Sequence, residues 1–322
     1  MIASARGRPE ESLALLKRSL EIALENDVPS AAIRAYLNLA NEMFERDRYE
    51  DAHELDLEGI ALCRRLGWSG LEWFTKMHIA GYYWLNGSWD ENLAMMRGAP
   101  TVDEEPAVRG GIEGIAWSSI QVAIHRGDPD EARRFFEVWD RYDDTADIQV
   151  LAVYRIVQAL MAGLDGDGRR ALEQASAAFD LRDSLSPRHG AIKSSYPIAV
   201  EAALAIGDLA AADALITTVE SWKPGMICPF MRAQTDRFRA RISPDHPDTE
   251  TRFKTAAGLF RELGTPFFLA CTLLEHGEWL TANDRGDDAR PLLQEAGEIF
   301  GRLEAAPWLE RTAAAQPDLA PA

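Results

Sequence analysis

Histidines, cysteines and a few acidic and hydroxyl pairs are what this 322-residue chain has to offer for chemistry. The six histidines (His53, His78, His125, His189, His246 and His276) form no His-x-His pair. His276-Gly277-Glu278 does not extend into the His-Glu-x-x-His helix that holds a catalytic zinc, so packing or surface roles and no metal site are expected. Glu104-Glu105, Asp143-Asp144 and Asp287-Asp288 offer paired carboxylates, but acidic residues this abundant collect at helix starts, where they complement the helix dipole, and in solvated loops. Gly163-Leu164-Asp165-Gly166-Asp167-Gly168 has the glycine density of a phosphate or calcium loop. It lacks the Gly-Lys-Ser/Thr ending of the one and the bidentate Glu of the other. Ser118-Ser119, Ser194-Ser195 and Cys271 stand in no nucleophile motif, and Gly-x-Ser-x-Gly is absent. The expectation is a non-enzyme with no catalytic residue and no cofactor.

What recurs is a turn. Gly127-Asp128-Pro129-Asp130-Glu131-Ala132 has counterparts at Gly7…Ser12, Gly87…Asn92, Gly166…Ala171 and Gly207…Ala212, with weaker copies at Asp47…Ala52, Pro244…Thr249 and Asp284…Ala289. The closing residues of these copies are 40, 40, 40, 39, 41, 37 and 40 positions apart, a regularity that marks a repeat architecture. Gly127 can end a helix in the left-handed conformation, Asp128 can cap the next, Pro129 suits its first position, and Glu131 occupies the third position of a capping box. Each copy therefore reads as the turn of a helical hairpin, with helix A before it and helix B after it. Apolar spacing places A and B near 31–45 and 50–66, 148–164 and 169–185, 194–206 and 210–221, 230–242 and 249–263, and 266–281 and 287–303. No segment alternates as a strand does. The first unit lacks its A helix, leaving a B helix near 9–25 with Leu13, Leu16, Leu20 and Leu24 on one face. A tail from Trp308 should fray.

Gly-Asp-x-Asp-Glu-Ala, with small residues seven positions before the turn (Ala40, Ala80 and Ala159), resembles the tetratricopeptide repeat, although the period exceeds the 34 residues usual for it. The longer spacing is similar to the arrays in the C-terminal arms of bacterial signalling ATPases: LuxR-type regulators and class III adenylate cyclase/ATPase fusions. The closing run carries that likeness, from Phe260-Arg261-Glu262-Leu263-Gly264-Thr265-Pro266-Phe267 through Leu274-Glu275-His276-Gly277-Glu278-Trp279-Leu280 to Pro307-Trp308-Leu309-Glu310-Arg311. The sequence departs from those proteins in having no P-loop, no cyclase domain and no basic helix-turn-helix. The resemblance implies an all-α fold, an α-solenoid of about eight hairpins over 1–310 with a flexible tail over 311–322. It also implies a non-catalytic interaction or sensor module. Its partner would be a protein or peptide, including an N-terminal ATPase or cyclase module of a longer parent. In the tetratricopeptide register the A helices line the concave face. Asn41, Phe44, Met77, Trp84, Trp117, Gln121 and His125 should then face a groove that takes a peptide segment or small effector. The competing expectation for the aromatic run from Trp68 to Trp89 is that it fills the space between helices.

Bulk properties narrow the partners. A net charge of −18 disfavours nucleic acid and anionic membrane surfaces, whose recognition relies on Lys and Arg. Cys63, Cys228 and Cys271 are too few and too dispersed for a disulfide framework, which fits a reducing cytoplasm. No secretory signal and no membrane-length apolar run is present. The half-hairpin at the start predicts either a longer parent chain or cover by a second copy. The alternative function is therefore an assembly scaffold that self-associates through the uncovered first helix.

Overall fold

The computed structural model describes residues 9–101, 106–139, 142, 144–223 and 225–315. Among these residues the regular structure is helical throughout, without a strand. Helix α1 (Pro9–Glu25) precedes the hairpin α2 (Pro29–Glu45) and α3 (Tyr49–Leu66). The pairs α4 (Ser69–Asn86) with α5 (Trp89–Arg97), α6 (Arg109–Arg126) with α7 (Pro129–Phe136), and α8 (Ile148–Leu164) with α9 (Gly168–Phe179) follow. After the single turn α10 (Arg182–Leu185) come α11 (Gly190–Ala205) with α12 (Leu209–Glu220) and α13 (Pro229–Ile242) with α14 (Thr249–Glu262). The array ends with α15 (Pro266–Ala282), α16 (Gly286–Leu303) and α17 (Ala306–Ala314). Consecutive helices pack on one another, so the chain is an all-α solenoid of hairpins.

The repeated turn is built largely as its residues dictate. Gly127 takes φ 82°, the Asp128 side chain accepts from the Glu131 N–H at 2.9 Å, and Pro129 opens α7. The capping box is not closed. The Asp128 N–H already donates to the Ala123 carbonyl at 2.9 Å, and Glu131 is instead held by Arg97 through two bonds of 2.9 and 2.8 Å. The residue that closes each copy (Ser12, Ala52, Asn92, Ala132, Ala171, Ala212, Thr249, Ala289) is buried, which explains why the slot is small. Four of the opposite turns, from B to the next A, are equally tight, with Asp27, Gly67, Gly264 and Glu304 left-handed, whereas the connections from α5 to α6, α7 to α8, α9 to α11 and α12 to α13 are longer.

Three stretches depart from the expected pattern. The expected helix over 169–185 breaks after Phe179 into α9 and α10. Helix α11 starts at Gly190 rather than near 194, because the His189 ring accepts from the Ala191 N–H and supplies the cap. The segment from Trp308 is no frayed tail: it belongs to α17, and its indole packs on Phe267, Phe300 and His125. Residues 102–105, which include the Glu104-Glu105 pair, and the last residues, 316–322, lie outside the described residues.

Helix α5 is short, so α6 lies directly on α4. The glycines opening α6 permit that approach: a Cβ on Gly111 would sit 2.4 Å from the Trp73 carbonyl carbon, and one on Gly114 2.0 Å from the Met77 sulfur. Asn92 joins the three helices, donating to the Ala80 carbonyl at 2.8 Å and to Ser118 Oγ at 2.9 Å while accepting from Ser119 Oγ at 2.7 Å. This uses the Ser118-Ser119 pair structurally.

The array curls until its two halves meet. C-terminal ends of the early A helices abut N-terminal ends of later ones. Gly87 lies against Pro266 and Leu303, Gly127 against Pro307, and the Arg126 guanidinium donates to the Leu303 carbonyl at 3.1 Å. The tightest contact is at Asp47. Its buried carboxylate accepts from Lys193 Nζ at 2.7 Å, from the Phe230 N–H at 2.7 Å and from the Tyr49 hydroxyl at 2.9 Å. Lys193 also donates to the Phe44 carbonyl at 2.7 Å. A carboxylate on the first turn of α13 and an ammonium at the last turn of α2 each meet the favourable end of a helix dipole.

Candidate functional site

Curling turns the concave face inward and forms a partly open lumen of about 1250 Å³, lined chiefly by the A helices. Each of the seven residues expected to face a groove has atoms on this wall: Asn41 and Phe44 from α2, Met77 and Trp84 from α4, and Trp117, Gln121 and His125 from α6. They do not serve alike. Trp84 is buried, stacked on Trp89 at 5.4 Å and on His125 at 5.5 Å, so it forms lumen floor and core together. His125 also packs on Phe267 at 4.3 Å and accepts from the Trp308 indole N–H at 3.2 Å. Burial pushes its pKa down to about 4, so the ring is neutral and acts as an acceptor. Asn41 donates to Glu45 at 3.2 Å, and Gln121 donates to the Trp117 carbonyl at 3.4 Å. Among the described residues the Trp117 and Trp139 indole N–H groups are buried without a partner.

The aromatic run divides between the two expectations. Trp89 is fully buried in the core, whereas Phe74 is 41% exposed and lines the lumen. Phe74 and the whole far wall were missed. Apolar lining comes from Val153 and Leu160 on α8 and from Pro197 and Ile198 on α11, with Phe230, Phe268 and Trp308 beyond them. Part of this was available from register alone, since Pro197 and Glu201 stand to Gly207 as Trp117 and Gln121 stand to Gly127.

Charge on the wall is mostly committed. Glu201 lines the lumen and accepts from Arg237 at 2.6 Å and Arg241 at 2.8 Å. Burial would raise its carboxyl, but the two guanidinium groups outweigh it and hold the pKa at about 2. Arg237 is also gripped by Glu275 through two bonds of 2.6 Å, which keep it charged against burial. Cys271 sits beside this network, and burial pushes its thiol well above the ordinary range, the opposite of a nucleophilic thiolate. His189, at the cap of α11, is lowered to about 4 by burial and by Lys193. His78 bonds Asp56 at 3.2 Å. Glu45 differs: its one hydrogen bond comes from Asn41, and no cation among the described residues lies within ion-pair distance. Burial and the neighbouring Glu42 raise its pKa.

Three of the acidic residues weighed for chemistry have structural uses. Asp287 and Asp288 pair with Arg290 and Arg285 at the start of α16, and Asp167 caps α9 beside left-handed Gly166. No three His, Cys, Asp or Glu side chains among the described residues group to hold a metal ion. No described helix is long and apolar enough to cross a membrane.

A tetratricopeptide-repeat family model matches residues 33–66, the hairpin of α2 and α3. No match to a curated protein is found. Tetratricopeptide repeats generally mediate protein–protein interaction, and the matched hairpin supplies Asn41, Phe44 and Glu45 to the lumen wall.

Proposed function

We propose that this chain is a non-catalytic sensor and interaction module of a bacterial, cytoplasmic signalling or transcription-regulating system. Its lumen takes up a small effector or a short peptide segment, and a partner reads the occupied state. The observation that carries the proposal is the lumen: about 1250 Å³ inside a curled repeat array, walled by aromatic and aliphatic side chains with a few polar groups among them. Binding cavities have this make-up, apolar area supplying affinity and sparse polar groups fixing orientation. Curling also supplies a means of response, since a ligand that favours the closed over the opened array shifts that balance by its differential affinity. The partner that fits the resemblance of the closing repeats is an ATPase or cyclase module of a longer parent, whose switch such binding would bias.

Uptake can be tested before the natural ligand is identified. N-phenyl-1-naphthylamine is neutral, apolar and fluorescent only out of water. Titration should give saturable enhancement at about one site per chain, and saturation at 100 Kd should stabilise the fold by about 2.7 kcal/mol against urea. A linear, unsaturable response with no gain in stability would contradict the proposal.

A further inference from the structure

Glu45 points to the chemistry of the ligand, given the reading of the lumen as a binding site. It is the last residue of α2, so its carboxylate lies at the negative end of a helix dipole, where cations rather than anions are stabilised. It lines the lumen, accepts only from Asn41, and stands beside Glu42, which belongs to a separate ion pair with Arg46 at 3.1 Å. Lys193, a cation of the same wall, is held by Asp47 and the Phe44 carbonyl, and it and Arg188 act on Glu45 only from beyond ion-pair distance. Arg237, the other cation on the wall, is bound by Glu201 and Glu275. A partly buried carboxylate without a cation at contact distance is costly unless a cation arrives. The same lumen is lined by the aliphatic side chains Val153 and Leu160 of α8.

We infer that the lumen binds an apolar amine, its ammonium group seated on Glu45 and Asn41 at the end of α2 and its hydrocarbon or aromatic body against α4, α6 and α8. Both halves of the site are needed for this: Glu45 selects the sign of the head group, and the apolar wall supplies most of the affinity.

The experiment uses the full chain and three dodecyl compounds, each below its micellar concentration, displacing N-phenyl-1-naphthylamine at pH 7. Dodecylamine, dodecanol and dodecanoate share one body and differ in head-group charge. Dodecylamine should bind about tenfold more tightly than dodecanol, and dodecanoate more weakly still. Glu45→Gln keeps the shape and the Asn41 neighbour, and should bring the amine to within about threefold of the alcohol while leaving the alcohol unchanged. Exposed Glu54→Gln removes the same unit of charge elsewhere and should leave the tenfold preference intact. Equal binding of all three compounds, tightest binding of dodecanoate, or an amine preference that survives Glu45→Gln would overturn the inference with the lumen still a site. A saturably bound probe that none of the three compounds displaces would overturn the inference alone, and a probe that does not bind saturably would overturn both readings.

Discussion

Asp47 occupies a position that Gly fills in the best copies of the turn, and it adopts the same left-handed backbone, with φ 61°. A side chain there is strained relative to Gly, with Asn and Asp the most tolerant substitutes. The carboxylate accounts for the exchange, because it joins Lys193, Phe230 and Tyr49 across the line where the two halves meet. Asp47→Asn preserves both the shape and the tolerance for this backbone but leaves the buried Lys193 ammonium without its counter-ion. Urea unfolding should show a loss of about 3–5 kcal/mol, the usual consequence of removing one partner of a buried ion pair. A loss below about 1 kcal/mol, as surface pairs give, would show that this contact does not hold the seam. In the sequence Asp47 reads only as a weakened repeat. Its partners lie 146 and 183 residues away, and no local pattern encodes a pairing at that separation.

Helices were legible where their ends carry their own chemistry. The Gly-Asp turns at Gly127-Asp128 and Gly166-Asp167 marked where α6 and α8 end and where α7 and α9 begin, because a left-handed residue and an N-cap are local requirements. Helix α17 was missed for the complementary reason: no glycine precedes it, left-handed Glu304 making the turn, and its stability comes from Trp308 docking on residues far back in the chain. Helix α1 shows a similar limit. Of the apolar face expected from spacing, Leu13, Leu16 and Leu20 are half-buried while Leu24 is 52% exposed, and Leu15 and Ile22 are left outside at 61% and 46%. Exposed leucine and isoleucine about two helical turns apart are the observation behind the second hypothesis, in which copies of the chain stack end to end through α1. Sedimentation velocity should then show a concentration-dependent oligomer that Leu15→Lys together with Ile22→Lys disperses. A monomer at every concentration tested would eliminate assembly by this helix.

Curvature, which decides what the protein can bind, was the least legible property. A repeat register says which side chains face the concave side, and Asn41, Phe44, Met77, Trp84, Trp117, Gln121 and His125 all line the lumen. Register does not say how far the array coils, since coiling sums small rotations at every helix pair and ends only when the first half meets the second. The difference matters physically: an open groove presents side chains to water, whereas the lumen keeps Glu45, Glu201 and His125 in surroundings that shift their titration. Photolabelling with benzophenone, a neutral apolar molecule that inserts into nearby C–H bonds on irradiation, asks directly where such a ligand resides. Peptide mapping should place the adducts on the lumen residues Met77, Leu160 and Ile198. Adducts confined to the outward residues Leu15, Ile22, Leu57 and Leu209, with the lumen unlabelled, would contradict the account.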